Sequence, residues 1–354
     1  MKGRETPSNA AFAEALFALA ERERSADRRL ALFDAGYRAL DAFGPARRRA
    51  LDGSPPWARP LIVQLAGCRS AGALAAAVER LSAGGQPPRR ATRERFLSRE
   101  EVASIVSAAP DALQPARLRG AFHWHTRASD GRSSLETMAR VCRRKGSCWA
   151  VVTDHSRGLE IASGLDEHGV RIQRRQIERW NRISGDELRL FHGLEVEILD
   201  DGSIDISRRE REALDVVVAA VHRKLDPGTD QTQRLLRAVS TPGVHVLAHP
   251  RGRLFNVRPG IRARWEKVFS ACADHGVAVE INGFPRRQDL DWELARVAYE
   301  AGCTLILASD AHAAGHLDFD AYACAIAARA HIPATAILNF ARTETFEEWL
   351  AGGE

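Results

Sequence analysis

From residue 118 onward, short runs of β-branched and apolar residues alternate with longer stretches whose apolar positions recur at helical spacing. The runs fall at 118–123, 148–153, 188–198, 214–221, 244–248, 277–281 and 304–308. Helices are expected between them, over about 133–146, 169–184, 229–240, 259–275, 288–301 and 317–330. This alternation predicts a parallel sheet covered by helices. No Gly-x-Gly-x-x-Gly follows the first run, which argues against a dinucleotide-binding sheet and leaves a barrel as the expected closure. The earlier part of the chain has a different rhythm. Phe12, Leu16, Leu19 and Ala20, then Leu30, Leu32, Phe33, Tyr37 and Leu40, predict two helices within 9–43. Ser54-Pro-Pro-Trp57 breaks that pattern, 60–83 resume it, and Ala83-Gly-Gly-Gln-Pro-Pro-Arg-Arg90 reads as a flexible linker. Ser98-Arg-Glu-Glu101 is a capping box that opens a helix over 99–108. The expected domains are a helical one over 1–83, a linker with a short helix over 84–117, and a barrel over 118–354.

Nearly every run is followed at its C-terminal end by a possible metal ligand. His123 and His125 come first, then Asp154 and His155, Glu195, His222, His249, Glu280, and finally Asp310 and His312. In a parallel barrel these ends share one face, where the loops after the strands build the active site. An isolated buried histidine is commonly a satisfied core residue. Histidines at successive strand ends point instead to imidazole and carboxylate groups converging on divalent cations.

Charge and cysteine usage refine this picture. Of 51 Lys plus Arg and 46 Asp plus Glu, the first hundred residues hold 18 and 11, so the basic excess sits there. A polyanion such as DNA is one partner that such charge would suit, although an arginine-rich composition alone gives the same excess. The six cysteines have no Cys-x-x-Cys spacing and fit reduced, buried thiols. No apolar stretch is long enough to span a membrane and no secretory leader follows Met1, so a cytoplasmic protein is expected.

The residues at the strand ends also carry a family resemblance. His123-Trp-His125 with Ser129-Asp-Gly131, Thr153-Asp-His-Ser156, Gly193-Leu-Glu-Val-Glu197, Ala220-Val-His222, Ala248-His-Pro250, Glu280-Ile-Asn282 and Ser309-Asp-Ala-His312 resemble the successive motifs of the PHP (polymerase and histidinol phosphatase) superfamily. Ile198-Leu-Asp-Asp-Gly-Ser-Ile-Asp205, His249-Pro-Arg-Gly-Arg-Leu254 and His316-Leu-Asp-Phe319 are most similar to the PHP domain attached to bacterial family X DNA polymerases. The resemblance covers about 118–345. It implies a distorted seven-stranded TIM-like β/α barrel with a cluster of usually three metal ions, manganese, zinc or iron.

By that resemblance His123, His125, Glu195 and Asp310 would hold one ion, and Glu195, His222 and His249 a second. Asp130, His155 and His312 would hold the third. The implied chemistry is phosphoester hydrolysis by a metal-bridging hydroxide, with Glu195 as the shared carboxylate. Arg157, Arg223, Arg251 and Arg253 lie just beyond ligands and could fork onto a phosphate, Arg253 being the favoured catalytic one. Asp154, Glu197 and Glu280 are expected to orient ligand imidazoles.

Two departures qualify the implication. Gly120-Ala-Phe122 stands where the family usually has Gly-Asp-Leu, which removes one outer acid. No polymerase palm or nucleotidyl-transfer carboxylate triad fits the remaining residues. The helical domain faintly resembles the N-terminal domain of family X polymerases, in Asn9, Ala13, Leu16 and Ala20 and in Ala35-Gly-Tyr-Arg-Ala-Leu40. Lys2 is the only lysine in the first hundred residues, so no Schiff-base nucleophile is visible there. The expected function is a metal-dependent phosphoesterase acting on nucleic-acid ends, as a 3′-5′ exonuclease or 3′-phosphatase. A small-molecule phosphatase of the histidinol-phosphatase type and a non-catalytic, metal-stabilised DNA-binding or partner-binding module remain as alternatives.

Overall fold

The structure, a computed structural model, describes residues 7–42, 47–81 and 92–352. The chain divides into two compact units, Met1–Ser104 and Ile105–Glu354. The linker expected at 83–90 lies outside the described residues.

In the first unit, α1 (Asn9–Arg22) and α2 (Ala26–Leu40) pack together, as the helical spacing predicts. Ser8 and Ser25 start them, each hydroxyl accepting a hydrogen bond from a backbone N–H three residues on. The helices meet at Gly36, where a Cβ would lie 2.4 Å from the Phe17 ring. Helices α3 (Arg47–Leu51), α4 (Arg59–Ala66) and α5 (Ala71–Leu81) follow. Residues 92–104, expected in the connecting stretch, belong to this unit. The cause is Arg93, whose buried guanidinium lies 2.6 Å from Glu14 and 2.7 Å from Glu21 on α1. The unit boundary falls within α6 (Arg99–Ala108), which Ser98 and Glu101 cap as the capping box predicts.

The second unit is a seven-stranded parallel barrel. Strands β1 (Gly120–Trp124), β2 (Trp149–Val152), β3 (Arg189–Glu197), β4 (Val216–Ala220), β5 (Val246–Leu247), β6 (Ala278–Asn282) and β7 (Leu305–Ala308) pair in chain order. The circle is closed by a parallel bridge between Trp124 and Ala311, with the His125 N–H donating to the Ala311 carbonyl at 2.8 Å. Between the strands lie α7 (Leu135–Arg144), α8 (Glu167–Ser184), α9 (Arg208–Glu212), α10 (Thr232–Val239), α11 (Trp265–Asp274), α12 (Trp292–Glu300) and α13 (Asp320–Arg329), with α14 (Thr343–Ala351) at the end. Helix α12 begins four residues later than expected because Asp291 caps it, accepting from Glu293 and Leu294 N–H at 3.2 Å. Helix α9 was not anticipated. At five residues it is too short to show a period, and the Ser207–Glu210 capping box holds it.

Side chains of period two divide the sheet's faces. Phe122, Trp149, Val151, Phe191, Val216, Val218, Ala220, Val246, Ala278, Ile306 and Ala308 form one core with Phe346 of α14. Phe346 stacks on Trp149 at 3.9 Å, so α14 packs against the end at which the strands begin. Ala121, Trp124, Ala150, Val152 and Leu190 form the other layer with Leu135, Met138, Cys142 and Ile177 of the helices. Ala121, where the family resemblance leads one to expect an acid, therefore belongs to the sheet–helix layer. No helix among the described residues is long and apolar enough to cross a membrane.

Candidate metal centre

The interior phase continues past the strand ends and carries the polar residues with it. On β3 it runs from Phe191 to Glu195 and Glu197; beyond β4 it reaches His222; beyond β7 it reaches Asp310 and His312. On β6 it includes Glu280 and Asn282. Three of the expected ligands sit in the left-handed backbone region, with φ of 57° at His123, 26° at His249 and 50° at Asp310. Non-glycine residues are held there only where surrounding structure overrides the local cost, a pattern that clusters at functional sites.

All nine expected ligand residues meet in one cluster around Glu195, which is 2% exposed. Its Oε2 lies 2.9 Å from His155 Nδ1, 3.3 Å from His123 Nε2 and 3.6 Å from His125 Nε2. Its Oε1 lies 2.8 Å from His249 Nε2 and 3.3 Å from His222 Nε2. Asp310 Oδ1 is 3.4 Å from His125 Nε2, while Asp130 Oδ2 is 3.3 Å from His312 Nε2 and 3.7 Å from His155 Nε2. Two ligands about 2.1 Å from one tetrahedral ion are about 3.4 Å apart, close to most of these spacings. Four overlapping groups satisfy that proximity: His125, Asp130, His155 and His312; His123, His125 and Asp310; His123, Glu195 and His249; His155, Glu195 and His222. The grouping differs from the one the resemblance implies, because His222 and His249 reach Glu195 in separate groups.

The chemistry of these atoms suits divalent cations. His123 Nε2, both ring nitrogens of His125, His155 Nδ1, His222 Nε2 and Glu195 Oε2 are buried with no hydrogen-bond partner among the described residues. So many unsatisfied polar atoms facing one point would be costly unless another group completes them. Opposite ring nitrogens are held in place. His123 Nδ1 lies 2.6 Å from Glu280 Oε2, His222 Nδ1 lies 2.8 Å from Glu197 Oε2, and His312 Nδ1 lies 2.9 Å from the Asp310 carbonyl. These partners leave the Nε2 atoms free to face the centre.

Electrostatics follow the same geometry. Burial alone would disfavour the Glu195 charge, yet the His155, His123 and His222 rings hold its carboxyl well below the usual range. Asp130 is lowered to about 2, its burial outweighed by the hydrogen bond from His312 and the neighbouring rings. Burial also opposes charge on His222 and His312, but the facing carboxylates raise both to about 9. His125 is lowered to about 4 by burial and by the adjacent His155. Protons and metal ions therefore compete for the same nitrogens.

The remaining expected residues divide. Glu280 and Glu197 orient His123 and His222 as anticipated. Among the described residues no hydrogen bond or ion pair joins Asp154 to an imidazole. It accepts from the Thr126 N–H at 2.8 Å and the Thr126 hydroxyl at 2.6 Å, and also from Ser129 and Gln173, and so fixes the loop that carries Asp130. Gly131 completes that loop, since a Cβ there would meet the His125 carbonyl oxygen at 2.5 Å. Arg157 is largely exposed, 3.8 Å from Glu210, and Arg223 donates to the Gly158 carbonyl. Arg251 binds Asp291 at 2.7 Å. Arg253 is only 3% exposed and binds Asp291 at 3.1 Å and the Arg287 carbonyl at 3.0 Å. Arg287 went unnoticed in the sequence, yet its Nε lies 3.0 Å from Asp310 Oδ2. It stands among many loop arginines with no period to single it out.

The parallel barrel gathers six histidines and three acids at its strand ends, in groups that could hold metal ions. The chain is similar to proteins of the PHP superfamily, its polymerase-attached branch among them. It is 32% identical over 209 residues to the DNA polymerase/3′-5′ exonuclease PolX of Bacillus subtilis, a match that covers 59% of this chain and 36% of that protein. The chain thus spans about a third of the length of that relative. It is 29% identical over 204 residues to a protein of Escherichia coli K12 named "Probable phosphatase YcdX", over 54% of this chain and 78% of the other. Among solved structures, histidinol phosphate phosphatase from Lactococcus lactis, complexed with zinc, L-histidinol and phosphate, aligns with a TM-score of 0.41 and 16% identity, over 57% of this chain and 90% of that one. No family model matches the chain.

Proposed function

We propose that this protein is a metal-dependent phosphoric ester hydrolase acting on nucleic-acid ends, as a 3′-5′ exonuclease or a 3′-phosphatase. The observation that carries the hydrolase reading is the set of unpartnered imidazole nitrogens converging on Glu195. Similarity to a protein named as a 3′-5′ exonuclease supports the nucleic-acid substrate, and the basic excess of the first hundred residues is consistent with a DNA partner. The ligand set comprises His123, His125, Asp130, His155, Glu195, His222, His249, Asp310 and His312, enough for three ions of manganese, zinc or iron. Bound there, such ions supply Lewis acidity and water activation at neutral pH.

The protein's own groups do the positioning. Glu195 faces five of the six ligand histidines, so its carboxylate is the element shared between ions. Glu280 and Glu197 keep the Nδ1 protons of His123 and His222 on the outer side of the rings, which leaves Nε2 as the ligand atom. Asp154 holds the loop bearing Asp130. Arg157 and Arg223, on the loops after β2 and β4, are available to an incoming phosphate chain.

A second reading, a small-molecule phosphatase of the histidinol-phosphatase type, is favoured by the match to YcdX over 78% of that protein. The two are separated by incubating manganese-loaded protein with a 3′-recessed duplex, a 3′-phosphorylated oligonucleotide and histidinol phosphate. Release of mononucleotides or of the 3′-phosphate is expected; turnover of histidinol phosphate alone would refute the nucleic-acid reading. Full metal occupancy with no hydrolysis in any of the three would favour a binding module.

A further inference from the structure

Helix α8, the longest of the described helices at 18 residues, buries Gln173 and Ile177 against the barrel. Its opposite face carries Arg171, Arg175, Arg179 and Arg182, all exposed. At about 100° of rotation per residue these four fall in one narrow stripe, with Glu167 and Glu178 along one edge and Ile172 and Ile183 along the other. Arg171 pairs with Glu167 at 3.3 Å, an exposed contact of little energy. Among the described residues Arg175, Arg179 and Arg182 make no ion pair.

The stripe starts at the rim of the metal centre. The Leu165 N–H donates to the carbonyl of His155, one of the expected ligands, at 2.8 Å. Gly164 permits that approach, since a Cβ there would run into the Ser156 carbonyl. Asp166 then caps α8, accepting from the Gly169 N–H at 2.8 Å. Arg157, two residues past His155, and Arg171 line one cavity of about 240 Å³, so the loop after β2 and the stripe share an edge. From there the helix rises about 1.5 Å per residue, and Arg171 to Arg182 mark out about 16 Å leading away from the centre.

A row of that length, with a cation at nearly every turn, suits the successive phosphates of a nucleic-acid strand better than one small anion. Ile183, 73% exposed, and Ile172 lie beside the row, and Ile161, 93% exposed, lies on the loop after β2. They offer apolar contact to unstacked bases, which a duplex would keep hidden. A membrane surface fits less well, because the main apolar face of α8 is already buried in the barrel and the isolated isoleucines would insert little area.

We infer that the exposed face of α8 is a track for single-stranded nucleic acid, whose 3′ end enters the metal centre while the phosphates upstream lie along Arg171, Arg175, Arg179 and Arg182. This rests on the nucleic-acid reading of the site and adds the route by which the strand arrives.

The test is fluorescence anisotropy of a labelled oligothymidylate, its 3′ linkages phosphorothioate to resist hydrolysis, titrated with metal-loaded protein over a range of salt. Wild type is compared with a joint variant, Arg175→Gln with Arg179→Gln and Arg182→Gln, and with the matching joint lysine variant, melting temperatures being measured alongside. Loss of three phosphate contacts should lower the slope of log Kd against log salt by about 2, and weaken binding at low salt about tenfold to a hundredfold, in the glutamine variant. The lysine variant should keep most of both, because the contact needs charge. Unchanged affinity and slope in the glutamine variant, where wild type binds, would overturn the track and leave the nucleic-acid reading standing. A wild type that binds no oligonucleotide at low salt would sink both. Equal weakening in the lysine variant would mark a structural role for the guanidiniums and also overturn the track. Loss of binding to phosphatidylglycerol vesicles, with oligonucleotide affinity unchanged, would assign the face to a membrane instead. Should the joint glutamine variant fail to fold, Arg175→Gln and Arg179→Gln taken singly should each lower the slope by about 0.7.

Discussion

Glu280 is the acid through which the centre is most open to a mild perturbation. It is fully buried and serves three partners from three strands or their ends: His123 Nδ1 at 2.6 Å, the His249 N–H at 3.2 Å and Asn282 Nδ2 at 2.8 Å. With His123 using Nε2 toward the centre, all three present donors, and only a carboxylate accepts on both of its oxygens. Replacing Glu280 with Gln keeps the shape but turns one acceptor into a donor. One buried donor is then left facing an amide N–H, at a cost of about 1–3 kcal/mol in stability. Loosening the His123 ring should weaken metal binding about tenfold to a hundredfold, the usual effect of losing an outer partner, or about 1.4–2.7 kcal/mol. The assay is competition for zinc or manganese with a calibrated chelator, run with urea unfolding of the metal-free proteins. Metal affinity within twofold of wild type, with unchanged unfolding, would refute the reasoning that this carboxylate orients His123.

Three further outcomes follow from the structure. Glu195→Gln should abolish phosphoester hydrolysis while leaving far-UV circular dichroism unchanged, because the neutralised group faces five imidazoles; full activity would contradict the shared-carboxylate role. Asp320, buried at the start of α13, is raised to about 7 by burial, with Asp318 adding and Lys145 opposing. Its neutral form is the one the fold prefers, so this contribution is complete below about pH 4 and is lost as pH rises toward 7. Asp320→Asn should therefore gain on wild type by up to about 4 kcal/mol between pH 4 and pH 8, read from urea unfolding at each pH. Phe346→Ala should cost about 3–5 kcal/mol, since the ring is fully buried on Trp149 and Phe191; a melting temperature within a degree of wild type would count against α14 as part of the barrel core.

The barrel and most of its centre were legible because a period of two survives from strand to loop. The phase that puts Phe191 inside also puts Glu195 and Glu197 inside. The phase of Val216, Val218 and Ala220 delivers His222, and that of Ile306 and Ala308 delivers Asp310 and His312. Elsewhere no period guides the reading. Asp130 depends on a turn built by Asp154 and Gly131, and only the family resemblance marked it. The role of Asp154 is tertiary, since Gln173 and Thr126 reach it from a helix and from the loop after a different strand. Arg253 and Arg287 lie in arginine-rich loops whose course is set by Asp289, Asp291 and Asn282, so no period tells which of them faces the centre. Arg93 joined the helical unit through two glutamates on α1 more than seventy residues away.

The central claim is that these nine side chains hold divalent ions around Glu195. Crystals grown from manganese-loaded protein, measured across the manganese absorption edge, test it most directly. Anomalous peaks are expected inside the cluster, about 2.0–2.3 Å from Glu195 oxygens and from the ring nitrogens of His123, His222 and His249. A cluster without anomalous density, in protein whose manganese binds elsewhere or not at all, would contradict it.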